Sequence, residues 1–203
     1  MQATDILSAE HRVIAQVVAA LAAAAARLDA GASVRPGFLA DAARFVRDYA
    51  DGYHHGKEEG VLFVALVEAG MPSHAGPVAV MLAEHDRARA LTAALADAAQ
   101  RYAAGDPAAA ADAAASARNY AALLAQHIRK EDGILFPMAA HLLAGDPDGV
   151  LLPSYAEVEA AQAGRGTKAS LVALASALAA EMEVDPDALA DEDEAFVLPC
   201  HAG

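Results

Sequence analysis

His54-His55-Gly56-Lys57-Glu58-Glu59-Gly60-Val61-Leu62-Phe63 and His127-Ile128-Arg129-Lys130-Glu131-Asp132-Gly133-Ile134-Leu135-Phe136 are near-copies of one another. Laid over each other without a gap, they match at His, Lys, Glu, Gly, Leu and Phe, with acid for acid and Val for Ile. Each copy sets a histidine four residues before a glutamate. On an α-helix that spacing is about 400° of turn, so both side chains leave the same face one turn apart. An imidazole and a carboxylate stacked in this way are two donors for one metal site.

Outward from this pair, the chain reads as all-α. Alanine dominates, aromatic residues make up only 5%, and β-branched runs are few, a composition that costs little in a helix. Gly and Pro divide the first 145 residues into four long amphipathic segments: about Asp5 to Leu28, about Pro36 to Ala69, Pro77 to just before Gly105, and Pro107 to just before Gly145. Short connections between four such helices predict an antiparallel up-down-up-down four-helix bundle over residues 1–145. Beyond it, Asp146-Pro147-Asp148-Gly149 reads as a turn. Ser154 with Glu157 reads as a capping box opening a short helix to about Gln162. Gly164-Arg165-Gly166 reads as a loop, and Leu171, Leu174, Ala175, Leu178 and Met182 form one more apolar stripe. Residues 146–184 are therefore expected to be a helical extension packed on the bundle, and 185–203 an acidic tail.

Charge narrows the partners. Fourteen basic against 28 acidic residues give −14, which argues against nucleic acid or an anionic membrane surface. No stretch has the bulk of a membrane span, and the N-terminus lacks the basic lead and apolar core of a signal peptide. One cysteine, Cys200, allows no intrachain disulfide and fits a reducing cytoplasm. The expected location is therefore cytoplasmic.

Buried charge is costly unless paired or metal-bound, so titratable residues on apolar stripes are the informative ones. His11 lies on the stripe of the first helix, between Leu7 and Ile14. His85 lies on that of the third, beside Met81 and Leu82. Counted from the bundle end where helix one meets two and three meets four, His11, His54, His85 and His127 stand 17, 18, 19 and 20 residues away. At about 1.5 Å per residue they share one level, roughly 26–30 Å from that end. Glu58 and Glu131 follow one turn on. Six donors exceed one tetrahedral zinc. Bundle sites that bridge two ions with carboxylates are typical of di-iron or di-manganese centres, and the mixed donor set suits iron. The candidate metal ligands are His11, His54, Glu58, His85, His127 and Glu131, with the two glutamates as bridges between two Fe ions.

The order Glu10-His11-Arg12, His54-x-x-x-Glu58, Glu84-His85-Asp86 and His127-x-x-x-Glu131 with Leu135-Phe136-Pro137 resembles the hemerythrin-like, HHE cation-binding domain over roughly residues 4–145. The resemblance implies a non-haem di-iron centre, oxo- or hydroxo-bridged, that binds O2 or related diatomics, with the same six residues as ligands. Oxygen-carrying members use five histidines, two of them one turn apart on the third helix. Here Met81 and Arg89 stand a turn either side of His85, so one iron is expected to lack a protein donor. Water, substrate, or the phenolate of Tyr53, Tyr102 or Tyr120 are the alternatives there. The carriers' last carboxylate corresponds to Asp132, some 140° from the direction of His127 on a regular helix, which favours Glu131.

The remaining candidates are assigned ordinary roles. His55 is turned about 100° from His54 and is expected to be an outer or surface residue. Lys57 and Lys130 are expected to face solvent as ion-pair partners. Leu62, Phe63, Leu135 and Phe136 are expected to keep the centre dry. His74, His141 and Cys200-His201 are expected to have no part in it. The functional expectation is a di-iron protein that senses or stores O2, NO or redox state. The alternatives are an enzyme turning over peroxide or NO, or a ferroxidase or iron-handling protein.

Overall fold

The computed structural model describes residues 2–106, 108–144 and 148–184. Among them are six helices and no strand: α1 (Ala3–Asp29), α2 (36–68), α3 (Gly76–Ala103), α4 (109–142), α5 (Asp148–Ala161) and α6 (Lys168–Met182), with a 3-10 turn at Ala163–Arg165. The expected turn at residues 146 and 147 and the acidic tail at 185–203 lie outside the described residues.

The helix ends follow local chemistry. Asp5 sits in the first turn of α1 and accepts a hydrogen bond from the Gln2 amide at 2.7 Å. Gly70 and Gly105 end α2 and α3 at φ of +104° and +80°, angles at which any side chain is strained. Ser154 does not open a helix. α5 begins at Asp148 and runs through Pro153, while the Ser154 hydroxyl donates back to the Val150 carbonyl at 3.0 Å. The cap of α6 is Thr167, whose hydroxyl accepts from the Ser170 amide.

α1 packs along α4 and α6, α3 along α4, and α2 along α3. By length and composition α1 could cross a membrane. Its apolarity is largely alanine, and its buried face carries Glu10 and His11, so it serves as a core helix here.

Two apolar clusters form the interior. One holds Ile14, Phe38, Phe45, Tyr49, Leu95, Tyr120 and Leu124. The other holds Leu7, Leu62, Phe63, Leu66, Met81, Leu135 and Phe136. Between them lies a layer of buried polar side chains: Glu10, His11, His54, His55, Lys57, Glu58, His85, His127 and Glu131. The helices after residue 147 share in both clusters. Leu151 and Tyr155 join the second, and Leu171, Ala175, Leu178 and Met182 join the first. Burying a leucine of this kind contributes about 1.5–3 kcal/mol, so the stripe on α6 is ample reason for its docking.

Candidate metal centre

The polar layer resolves into two groups, each able to surround one cation. His11, His54, Glu58 and Glu131 form the first, and His55, Glu58, His85 and His127 the second; within each group the donor atoms lie within 4.8 Å of one another. α1 brings His11, α2 brings His54, His55 and Glu58, α3 brings His85, and α4 brings His127 and Glu131.

The glutamates face both groups. Glu58 Oε1 lies 3.3 Å from His54 Nε2, and its Oε2 lies 3.4 Å from His85 Nε2. Glu131 Oε2 lies 3.2 Å from both His11 Nε2 and His127 Nε2. His85 Nε2 and His127 Nε2 are only 3.1 Å apart. Both Glu58 oxygens, both Glu131 oxygens, His11 Nε2 and His54 Nε2 are buried without a hydrogen-bond partner. Buried polar atoms left unpaired are costly, and so many aimed at one point fit a pair of cations.

His55 is a correction to the sequence reading. It is buried, stacks on His85 with ring centroids 3.8 Å apart, and belongs to the second group. The cause is local winding. Val46–His55 is π-helical, and the Gly56 amide reaches back five residues to the Asp51 carbonyl. A wider turn rotates each residue by less than the about 100° of an α-helix, so adjacent histidines can face the same interior. A fifth imidazole thus stands beside His85 and His127, where the sequence reading expected no further protein donor. Of the phenols considered there, Tyr53 donates to the Gly166 carbonyl and Tyr102 to the Val34 carbonyl. Tyr120 is buried with no hydrogen-bond partner for its hydroxyl.

The sequence repeat is also a structural repeat. Glu58–Leu62 and Glu131–Leu135 are matching single π turns, closed by the amides of Phe63 and Phe136 reaching the carbonyls of Glu58 and Glu131. Phe136 stacks on His11 and Phe63 on His85, closing the layer to water from the side of the second cluster.

Each imidazole is backed by a carboxylate at Nδ1. Glu10 holds His54 at 3.2 Å, Asp132 holds His11 at 3.0 Å, Glu59 holds His85 at 2.7 Å and Glu84 holds His127 at 3.0 Å. Asp51 stands 3.5 Å from His55 Nδ1, beyond good hydrogen-bond geometry. Such partners fix the tautomer and point Nε2 at the metal position. The acidic residues before His11 and His85, and those after Glu58 and Glu131, therefore serve as outer partners. Recurrence of Glu-His and of the paired acids was the available signal. Asp132 fills this role at the surface, while Glu131 is buried.

Lys57 is the second correction. It is fully buried, paired with Glu10 and lying 2.8 Å from Glu159. Lys130 pairs with Glu84 as expected and is partly exposed. His74 and His141 are exposed and apart from the centre; Cys200 and His201 lie outside the described residues. A cleft of about 380 Å³ between α2 and α3 is walled in part by Asp51 and Arg89. Arg89 binds both Asp51 and Glu59, so that cleft ends on the ion pairs behind His55 and His85.

Electrostatics agree with a cation site. Burial, then the neighbouring Glu131 charge, pushes the Glu58 carboxyl well above its ordinary range. Burial acts on Glu131 in the same sense, but His127 and His11 outweigh it and hold that carboxyl low. Burial pushes His54 down to about 4 and His55 well below its usual value. Burial also opposes the His11 cation, yet Asp132 and Glu131 lift it to about 9. With His54 and His55 held neutral by burial, the Glu131 charge is balanced from His11, and bound metal ions would supply that positive charge in its place.

No curated protein and no solved structure matches the chain significantly. A family model does, the hemerythrin HHE cation-binding domain, over residues 2–139. The repeated HxxxE pairs, the Glu-His pairs of α1 and α3 and the buried histidine–glutamate layer all lie within that span, and the chain belongs to the hemerythrin HHE cation-binding domain family.

Proposed function

We propose that the protein holds two iron ions in an antiparallel bundle formed by α1 to α4, and that this pair binds O2 or a related small ligand such as NO or peroxide, for sensing or storage. The first position takes His11, His54, Glu58 and Glu131; the second takes His55, Glu58, His85 and His127. The observation that carries the reading is the convergence of unpartnered, buried donor atoms from four helices, with carboxylates behind the imidazoles. Mixed imidazole and carboxylate donors around two adjacent positions suit iron or manganese over a single structural zinc.

Bound as a pair, iron supplies open coordination positions and two electrons to a small ligand. The chain supplies the surroundings. Glu58 and Glu131 compensate charge between the positions. Phe63, Phe136, Leu62 and Leu135 exclude water on one side, as the larger apolar cluster does on the other. A dry, histidine-rich pocket offers few protons, which favours keeping a ligand over turning it over.

Metal analysis of protein from iron-replete cells should find about two irons per chain, as two donor groups imply; stoichiometric zinc alone contradicts the reading. Anaerobic reduction, exposure to O2 and degassing, followed by absorbance, then separates its versions. Bands that come and go support a carrier or sensor. Irreversible oxidation with catalytic loss of peroxide or NO supports an enzyme instead.

A further inference from the structure

The two halves of the centre are built alike but covered differently. In the second half Lys130 binds Glu84, which holds His127, and the lysine is 36% exposed. In the first half Lys57 binds Glu10, which holds His54, and the lysine is 0% exposed. What covers it comes from α5 and α6, beyond the residues that match the family.

Glu159 of α5 lies 2.8 Å from Lys57 Nζ. Lys168, the first residue of α6, lies 2.6 Å from Glu10 Oε1 and 2.7 Å from Glu159 Oε1. Glu10, Lys57, Glu159 and Lys168 thus close a ring of alternating charge. Both ammonium groups bind the same Glu10 oxygen, Oε1, while Oε2 accepts from His54 Nδ1 at 3.2 Å. Two cations pinning one oxygen hold the other in line with the imidazole. A buried carboxylate with one such partner removed is left short of charge, at large cost.

The sequence of α2 is cut to admit these helices. A Cβ on Gly56 would stand 3.2 Å from Val158 Cγ1, and one on Gly52 would stand 3.1 Å from Gln162 Oε1. Gly52 and Gly56 bracket the His54-His55 pair, whereas the second repeat carries Ala125 and Arg129 at those places. The bare strip of α2 is the one on which the extension lies.

We propose that α5 and α6 are a working part of the metal centre, with Glu159 and Lys168 as positioning residues that act through Lys57 and Glu10 to fix the His54 imidazole and set the affinity of the metal position it faces. This rests on the reading that the centre holds two metal ions.

The test loads the metal-free full chain anaerobically with Fe(II), and separately with Co(II), against a competing chelator that resolves two binding steps. Lys168→Met and Glu159→Gln should each weaken one step by about 10-fold or more, the usual cost of losing an outer partner, and shift the Co(II) absorption of that position alone. The other step should stay within about two-fold. Lys168→Arg keeps the charge and should restore the parental steps. Lys130→Met, on the open half, should weaken the opposite step. Unchanged steps in both Lys168→Met and Glu159→Gln overturn the inference, even if the metal-free proteins melt earlier. So does an equal loss at both steps, which marks a merely structural role. Failure of the parent chain to take up either metal instead overturns the reading beneath, and the parent alone shows it.

Discussion

Glu59 of α2 reaches across to α3 and holds His85 Nδ1 at 2.7 Å. Asp132 of α4 does the same for His11 of α1 at 3.0 Å, steadied by the Ser8 hydroxyl. Each repeat thus holds a histidine of the other half, while Glu10 and Glu84 hold one within their own. The centre is tied crosswise, and its helices cannot shift singly without disturbing an imidazole.

Glu59→Gln and Asp132→Asn keep the shape of these partners and remove their charge. Each should lower metal affinity by about 10-fold or more, measured by chelator competition. Equal affinity for parent and variants would show that the crosswise contacts do not reach the metal positions.

His55→Ile makes the first repeat resemble the second at Ile128, in a site large enough for an imidazole. Metal content should drop from two ions toward one per chain, read by elemental analysis, while helicity is retained. Two tightly held ions in the variant would return His55 to the role of packing residue.

In the metal-free protein His54 and His11 should make stability depend on pH on opposite sides of about 6.5. His54 has its folded pKa lowered to about 4, so between about 6.5 and 4 the unfolded chain binds more protons and stability falls as pH falls. His11 has its folded pKa raised to about 9, so its contribution is present below about 6.5 and is lost as pH rises through 9. Each of these two groups contributes on the order of 3 kcal/mol at most; His55, held well below its usual value, adds to the loss on acidification, and the raised Glu58 carboxyl adds a loss as pH rises. Thermal melts at pH 5, 6.5 and 9 check this, and a flat profile counts against the buried layer as described. Metal loading should flatten the alkaline flank, since a ligating His11 carries no proton.

Gly133→Ala and Gly56→Ala should differ in sign or size. Nothing lies within 4 Å of a Cβ at Gly133, so alanine there should stabilise by about 0.5–1 kcal/mol. At Gly56 the new methyl meets Val158 at 3.2 Å and should offset that gain by pressing on α5. Urea unfolding of the two variants decides it; equal stabilisation would mean α5 does not lie on α2.

Much of this was written in local signals. Gly and Pro marked the helix ends to within a few residues, because φ near +80° and a missing amide act on the chain where they stand. The tandem motif, with its four-residue spacing and common depth, picked out His11, His54, Glu58, His85, His127 and Glu131 as inward residues, and the structure places them in one layer. The bonding of Glu10, Glu59, Glu84 and Asp132 was partly legible, since their types recur beside the histidines. Tertiary structure alone decided the rest. His55 faces inward because α2 widens into a π-helix, and a projection that assumes about 100° per residue turns it outward. Lys57 is buried because helices about a hundred residues later in the chain close over it, and a side chain's exposure depends on distant segments as well as its neighbours. Ser154 sits inside α5 because the helix begins earlier, where packing of Leu151 and Tyr155 outweighs a capping signal worth about 1 kcal/mol. Spacing along one helix is a local property; which side of it meets solvent is a property of everything packed against it.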